Sequence, residues 1–123
     1  MKHIIVFLSL IFFTSSIFGQ VRNLKGQYFN SCINGYDWSG WQVSNVNVQW
    51  NPVVRQIIIY SQVIQIINYN NLTLEVHPQY NLYSGNATDA FSKSLNIYIQ
   101  MFFNGYIYLT LQYRNFSYAY ALL

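Results

Sequence analysis

The chain has 123 residues, of which 53% are apolar, 20% are aromatic and only 7% are charged. This length is typical of one domain with a single core. The high apolar content excludes classical disorder, which combines low hydrophobicity with high net charge, and the low charge excludes a coiled coil rich in Glu and Lys. The formal net charge of +3 comes from scattered cations. Because nucleic-acid binding needs clustered Lys and Arg, no nucleic-acid partner is expected.

Residues 1–19 have the pattern of a secretory signal peptide. Lys2 supplies a positive end, an apolar run extends from Ile4 to Phe13, and Gly19 is a small residue at the cleavage position. We therefore expect a mature domain over residues 20–123, secreted or held in the lumen of the secretory and endolysosomal pathway. The alternative is an uncleaved anchor, but the apolar run is short for a bilayer span. No stable membrane span is expected.

Three Asn-x-Ser/Thr sequons agree with secretion, because this motif is the acceptor for N-glycosylation in secreted proteins. They begin at Asn71, Asn86 and Asn115. The stretch around Asn86 is rich in Ser, Gly and Asn, which predicts a loop. Asn86 is therefore the favoured glycosylation site of the three.

The first half of the mature chain reads as short strands. A strand is predicted near Gln27–Phe29, and the alternation of Val46, Val48 and Trp50 with polar residues predicts a second. The apolar stretch 53–67 is too long for one flat strand. We divide it near Ser61–Gln62 into two strands, followed by a turn over residues 68–71.

The second half continues in the same way. Alternation over residues 72–77 predicts a strand that Pro78 ends, since proline cannot donate to a ladder. Residues 79–94 are predicted to be the longest loop. Two strands over 95–101 and 106–112 are joined at Asn104–Gly105, the strongest hairpin signal in the chain.

A further turn near Arg114–Asn115 leads to a last strand that ends at Leu123, which gives seven or eight strands and no helix. This pattern predicts an all-β fold of two antiparallel sheets packed face to face, with a closed barrel as the alternative.

The mature chain offers few groups for catalysis. It contains one His, His77, one Cys, Cys32, one Glu and two Asp. An enzyme needs a nucleophile with a base, a carboxylate pair or a metal cluster, and none of these patterns is present, so no enzyme activity, metal or cofactor is expected. His77 is expected to be an exposed residue at a strand end. Cys32 is expected to be buried, the alternative being a link to another chain.

Four short segments together resemble a known family. They are Phe29-Asn30-Ser31-Cys32, Trp41 to Pro52, Leu72 to Val76, and Phe103-Asn104-Gly105-Tyr106-Ile107-Tyr108-Leu109. Their order is similar to that of the ML (MD-2-related lipid-recognition) domain, a family of small, secreted, Niemann-Pick C2-like lipid-recognition proteins. The family usually carries two or three disulfides, whereas this chain holds a single cysteine, and the stretch 77–94 is shorter than in the family.

The resemblance implies an immunoglobulin-like β-sandwich that binds or carries a lipid or sterol-like ligand between its sheets. The alternative is a secreted or surface-displayed, non-enzymatic interaction module with a filled core, for which the tyrosines Tyr98, Tyr106, Tyr108 and Tyr118 are predicted on or near the outer face of the last hairpin. On the lipid-binding hypothesis the ligand-lining residues are Val46, Val48, Trp50, Ile57, Ile59, Leu72, Leu74, Val76, Ile97, Ile99, Ile107, Leu109 and Leu111.

Overall fold

A computed structural model describes residues 21–33 and 37–123. The predicted signal peptide, 1–19, and its cleavage point lie outside these residues. The described chain forms ten strands: β1 (Arg22–Ile33), β2 (Gln42–Val43), β3 (Asn47–Asn51), β4 (Gln56–Tyr60), β5 (Ile64–Tyr69), β6 (Thr73–Val76), β7 (Tyr80–Thr88), β8 (Ser94–Phe102), β9 (Ile107–Gln112) and β10 (Phe116–Leu122). In this part of the chain, no helix has the length and apolarity needed to cross a bilayer.

The strands form one antiparallel sheet whose main part closes on itself. The order around the ring is β1-β3-β4-β5-β7-β8-β9-β10, and β10 pairs again with β1. The result is an eight-stranded antiparallel β-barrel. The prediction of an immunoglobulin-like sandwich of two sheets is therefore wrong.

Closure depends on β1, which at 12 residues is the longest strand. Its first part, Arg22–Lys25, pairs with β3, and its second part, from Gly26 to Ile33, pairs with β10. One strand therefore joins the two ends of the sheet, which in a sandwich would have remained as separate edges. The residue pattern predicts only the segment Gln27–Phe29 of this strand.

Gly26 is the residue at which β1 passes from one partner strand to the other. Its amide donates a hydrogen bond to the carbonyl of Val46, and the pairing with β10 is irregular between Gly26 and Tyr28. A Cβ atom at Gly26 would lie 2.6 Å from the Val46 oxygen. Only glycine permits this close approach of two backbones.

The middle of the barrel is filled by aliphatic side chains from alternate strand positions. Each of these side chains is at most 2% exposed: Val48, Ile57, Ile59, Ile67, Ile97, Ile99, Leu109, Leu111 and Leu122. Successive residues of a strand point to opposite faces, so the residues between them face outwards and are mostly Asn, Gln, Ser, Thr and Tyr. An eight-stranded barrel is just wide enough for side chains to fill it.

Several predicted elements are confirmed. The stretch 53–67 is divided at residues 61–63 into β4 and β5. The Asn104–Gly105 hairpin joins β8 to β9, and Gly105 has the positive φ of 101° that such a turn requires.

Other elements differ from the prediction. β7 lies inside the segment 79–94 that was predicted to be a loop, and β5 extends through Tyr69 into the predicted turn. In β7 the alternation is present, but its inward positions include Gly85 and Ala87, which are too small to give an apolar signal. The sequon residue Asn86 is consequently in a strand and not in a loop.

β6 continues the path of β5 along β7 after a bulge. Tyr69 pairs with Ala87 and Thr73 pairs with Ser84, so one strand advances four residues while the other advances three. At the bulge, a Cβ on Gly85 would be 2.5 Å from the carbonyl oxygen of Asn71. β6 therefore extends the wall of the barrel beyond the end of β5, on one side of the barrel only.

We expect Gly26→Ala to destabilise the barrel by about 1–3 kcal/mol, the usual cost of forcing an extra carbon into a packed site. The added Cβ must displace the Val46 backbone and with it the junction of β1 with β3. Thermal or urea unfolding measures the change. Lys25→Ala is the matched control in the same strand, because Lys25 is exposed, and an equal effect of the two substitutions would contradict this account.

Candidate functional site

The predicted ligand-lining residues divide into four groups. Most of them form the packed centre of the barrel: Val48, Ile57, Ile59, Ile97, Ile99, Ile107, Leu109 and Leu111. Val46 is half-buried against this core, and Trp50 and Leu72 line a recess at one end of the barrel. Leu74 and Val76 of β6 are 48% and 75% exposed, because the wall they belong to rises above the rest of the rim.

Several recesses surround the filled centre, among them one at each end of the barrel and one on its outer surface. We call the barrel end that holds the loops 61–63, 89–93 and 113–115 the lower end, and the opposite end the upper end. The lower end holds a cavity of about 390 Å³, which we call the aromatic cup. The upper end holds a cavity of about 480 Å³, which we call the arginine bay. A groove of about 820 Å³, the amide groove, lies on the outer surface.

The aromatic cup is formed where the inward-facing residues change from aliphatic to aromatic. Phe29 of β1 packs on Tyr118 and Tyr120 of β10, with ring centroids 5.7 Å and 5.3 Å apart. Phe116 contacts Tyr118 at 5.2 Å and stacks on Tyr113 at 4.7 Å. These contacts link five rings into one wall, with the tilted geometry that aromatic pairs prefer.

Two hydroxyl groups make the cup amphipathic. Gln65 donates from Nε2 to the Tyr120 hydroxyl at 3.2 Å, and the Tyr113 hydroxyl donates to Oδ2 of Asp89 at 3.0 Å. Burial raises the pKa of Tyr120, and burial together with the neighbouring Asp89 carboxylate raises the pKa of Tyr113. Both shifts favour the neutral, hydrogen-bonding form of the two tyrosines at physiological pH.

Asp89 shapes the loop that covers one side of the cup. Its Oδ1 accepts hydrogen bonds from the amides of Phe91 and Lys93, both at 2.9 Å. The Ser92 amide bonds to the Asp89 carbonyl at 3.0 Å, and Ser92 takes the left-handed conformation with φ of 62°. This network holds Phe91 at the opening of the cup, where its ring is 78% exposed.

The pKa of Asp89 is lowered by the same network. Burial acts to raise it, but hydrogen bonds from the Lys93 amide and the Tyr113 hydroxyl outweigh burial. The bond from the Phe91 amide and the positive charge of Lys93 act in the same direction. The ionised form of Asp89 is therefore the form that holds the loop.

The arginine bay has a different character. Trp50 donates from Nε1 to the Tyr69 hydroxyl at 2.9 Å, and the guanidinium carbon of Arg22 lies 5.9 Å from the centroid of the Trp50 ring. Arg55 and Asn81 also line the cavity. Cationic and aromatic groups thus surround the upper end.

The amide groove is larger than the aromatic cup and the arginine bay but is less specific than either. Its outward-facing lining is mostly amide groups, with Asn68, Asn86, Asn96 and Gln112 among its residues and Arg114 as its one charged residue. Water satisfies such exposed amides well. Asn86 is exposed here, as are Asn71 and Asn115 in their own segments, so all three sequons are accessible.

The tyrosines predicted on the outer face do not all lie there. Tyr106 and Tyr108 are on the outside, with ring centroids 6.4 Å apart, and Tyr98 donates to Gln112 at 3.2 Å on the same side. Tyr118 instead points into the aromatic cup. The prediction for Tyr118 is wrong because Tyr118 pairs with the buried Leu111 of β9 and therefore shares its inward face.

The two residues with the most reactive side chains are not joined into a site. His77 stacks on Tyr80 at 4.6 Å, and its Nε2 is 3.5 Å from Oε2 of Glu75. It is half-buried, so the prediction of an exposed His77 is wrong. Cys32 is half-buried in β1. Across residues 21–33 and 37–123, no three His, Cys, Asp or Glu residues are grouped as metal ligands would be.

Comparisons with protein-family models, with curated proteins and with solved structures found no match. Membership of the ML family therefore stays a prediction. Its implied sandwich is replaced by the barrel described above.

The residues of the aromatic cup were not predicted from the sequence pattern. Phe29, Phe91 and Tyr113 belong to three segments that are far apart in the chain, and only the closed topology brings them together. A usable signal was present in β10, where Phe116, Tyr118 and Tyr120 alternate with small residues. This alternation indicates an inward aromatic face instead of an outer one.

Because the pKa of Asp89 is lower in the folded protein, its stabilising effect is complete above about pH 4, the usual value for an unfolded Asp. The effect is lost as the pH falls through the lowered pKa. We expect Asp89→Asn to cost about 1 kcal/mol near neutral pH, the size of one lost hydrogen bond. Thermal unfolding should show this difference narrowing in acid.

The matched control for this prediction is Asp37→Asn, since Asp37 is exposed. It should change the melting temperature little at any pH. A difference between wild type and Asp89→Asn that stays constant down to about pH 2 would contradict the role of the ionised carboxylate.

Proposed function

We propose that the protein binds a small apolar ligand, such as the apolar part of a lipid, in the aromatic cup at the lower end of the barrel. The observation that carries the proposal is the wall of stacked and tilted rings that stays accessible to solvent while the centre of the barrel is closed. The mouth of a β-barrel is a common location for such sites.

The size of the cup limits the ligand. A volume of about 390 Å³ lies at the small end of the range for ligand sites. Ile67 and Leu111 are both 0% exposed in the packed centre, so the cup cannot extend through the barrel. A single ring system or a short chain segment fits this geometry, whereas a long chain would remain largely outside.

The rim of the cup favours capture of an apolar group. Phe91 is 78% exposed and Val63 is 68% exposed, and both residues line the cup. Contact with a ligand would remove this surface from water and gain about 25 cal/mol for each Å² of apolar area. The Asp89 side chain and Lys93 lie at the same rim and leave room for a polar headgroup next to the buried part.

Secretion is part of the same proposal. An apolar cup open to solvent suits a protein that carries a ligand through an aqueous compartment, and the segment 1–19 has the pattern of a signal peptide. The three exposed sequons are consistent with passage through a glycosylating compartment.

A neutral fluorescent probe, N-phenyl-1-naphthylamine, tests the cup without involving charge. Wild-type protein should enhance its fluorescence with saturation. We expect Phe91→Ala to weaken binding about fivefold, because it removes part of the apolar contact. Its melting temperature should stay close to that of wild type, since the Phe91 ring is mostly exposed.

Phe103→Ala is the matched control. Phe103 is 67% exposed and lies at the upper end, so it removes a similar ring from the wrong end of the barrel. An equal loss of probe binding in both variants would show non-specific binding and contradict the cup. No probe binding by wild type would favour the alternative, a non-enzymatic interaction module with a filled core.

Glycosylation is tested by expressing the chain with residues 1–19 in a secreting eukaryotic cell. The secreted protein should lose mass on treatment with an N-glycosidase, and Asn86→Gln should remove one glycan. Asn96→Gln is the control, because Asn96 pairs with Asn86 across the sheet and is exposed but is not in a sequon. Intracellular retention, or no change in mass on deglycosylation, would contradict this part of the proposal.

A further inference from the structure

The upper end of the barrel contains a second recess, the arginine bay, that the proposed function does not use. It lies between β7, β8 and the link over residues 70–72 on one side and the β3–β4 turn with the start of β1 on the other. Its volume is about 480 Å³. The packed centre of the barrel separates it from the aromatic cup, so the two recesses are independent sites.

The floor of the bay is a fixed aromatic surface. The Trp50 indole donates to the Tyr69 hydroxyl at 2.9 Å, and Tyr83 meets the Trp50 ring edge-on with a centroid distance of 6.2 Å. Trp50 and Tyr69 are only 8% and 7% exposed. Because the Tyr69 oxygen accepts from Trp50, its own proton remains available to a further acceptor.

Two arginines border this floor. The Arg22 guanidinium carbon lies 5.9 Å from the Trp50 centroid, a cation–π distance. Arg55 is in the left-handed conformation with φ of 56°, and its carbonyl accepts from the Tyr69 amide at 3.0 Å. A non-glycine residue in this conformation is uncommon, and here it belongs to the turn between β3 and β4.

The charge of the bay is not neutralised by the protein. The one ion pair found among residues 21–33 and 37–123 joins His77 to Glu75, so neither arginine of the bay has a carboxylate within salt-bridge distance. Burial raises the pKa of Tyr69, while the hydrogen bond from Trp50 and the charge of Arg55 oppose this.

Asn81 adds an unused hydrogen-bond acceptor. It sits on β7 opposite Met101 of β8 and lines the bay. Its Oδ1 atom is buried and has no hydrogen-bond partner within the described part of the chain. Buried polar atoms in native proteins are nearly always paired, and an exception calls for an explanation.

We propose that the arginine bay binds a small aromatic carboxylate that carries a hydroxyl group. Arg22 and Arg55 attract and bind the carboxylate, the ring lies on the Trp50 floor, and the ligand hydroxyl donates to Oδ1 of Asn81. Each part of this ligand matches one feature of the bay. The carboxylate matches the uncompensated positive charge, the ring matches the aromatic floor, and the hydroxyl matches the buried acceptor.

Isothermal titration calorimetry with three related probes tests the proposal. They are 4-hydroxybenzoate, benzoate, which lacks the hydroxyl, and 4-hydroxybenzyl alcohol, which lacks the charge. Wild type should bind 4-hydroxybenzoate about tenfold more tightly than either of the others, because each lacks one hydrogen-bonded group. No binding of 4-hydroxybenzoate at millimolar concentration, or equal binding of all three probes, would overturn the proposal.

Substitutions assign the binding to the bay. Arg55→Gln should weaken binding of 4-hydroxybenzoate about tenfold, and Arg22→Gln should act in the same direction. Lys25→Gln is the matched control, since it removes a positive charge from the same strand as Arg22 but outside the bay. A loss in Lys25→Gln equal to that in Arg55→Gln would show general charge attraction and overturn the proposal.

Asn81→Leu separates a binding role from a structural one. It removes the unpaired acceptor while keeping a similar volume, so the melting temperature should stay the same or rise. The preference for 4-hydroxybenzoate over benzoate should disappear. A preserved preference would overturn the role of Asn81. Phe91→Ala should leave all these affinities unchanged, so this proposal and the aromatic cup can fail separately.

Discussion

The double pairing of β1 is the constraint on which the rest of the structure depends. One strand bonds to β3 along Arg22–Lys25 and to β10 from Gly26 onwards. If either half of this pairing were lost, the sheet would open and expose two long edges with unsatisfied backbone groups. Gly26 makes the exchange of partners possible because it allows the carbonyl of Val46 to approach closer than any side chain would permit.

Closure then decides where binding can occur. An eight-stranded barrel has an interior just wide enough for side chains, and here Ile and Leu residues occupy its middle completely. The ends are less crowded because strands of unequal length leave a ragged rim. Aromatic residues take the inward positions there, and their rigid rings leave spaces that aliphatic chains would have filled. Recesses therefore lie at the two ends and not along the axis.

The amino-acid pattern predicted local elements well and their assembly poorly. The alternation of Ile107, Leu109 and Leu111 was enough to predict β9 and its buried face, and Asn104–Gly105 was enough to predict the hairpin before it. These signals are local, because turn type and side-chain period are set by neighbouring residues.

The choice between a sandwich and a barrel depends instead on contacts between strands that are far apart in the chain. Both folds bury one face of each strand and expose the other, so alternation alone cannot separate them. The difference is made by β1 and β10, at opposite ends of the chain, through hydrogen bonds between backbones. The aromatic cup follows from the same contact, since Phe29 and Tyr118 become neighbours only when these strands pair.

The shortage of charge gives each ionic group more influence. Only 7% of the residues are charged, and the outer surface relies on amide and hydroxyl groups for its contact with water. Asp89 therefore acts on its loop and on Tyr113 with few other charged groups nearby. The two arginines of the bay have no carboxylate within salt-bridge distance. A surface richly supplied with Glu and Lys would surround such groups with counter-charges and screen their fields. In this barrel Asp89 lies at one end and Arg22 and Arg55 lie at the other, next to the recesses that the two proposals use.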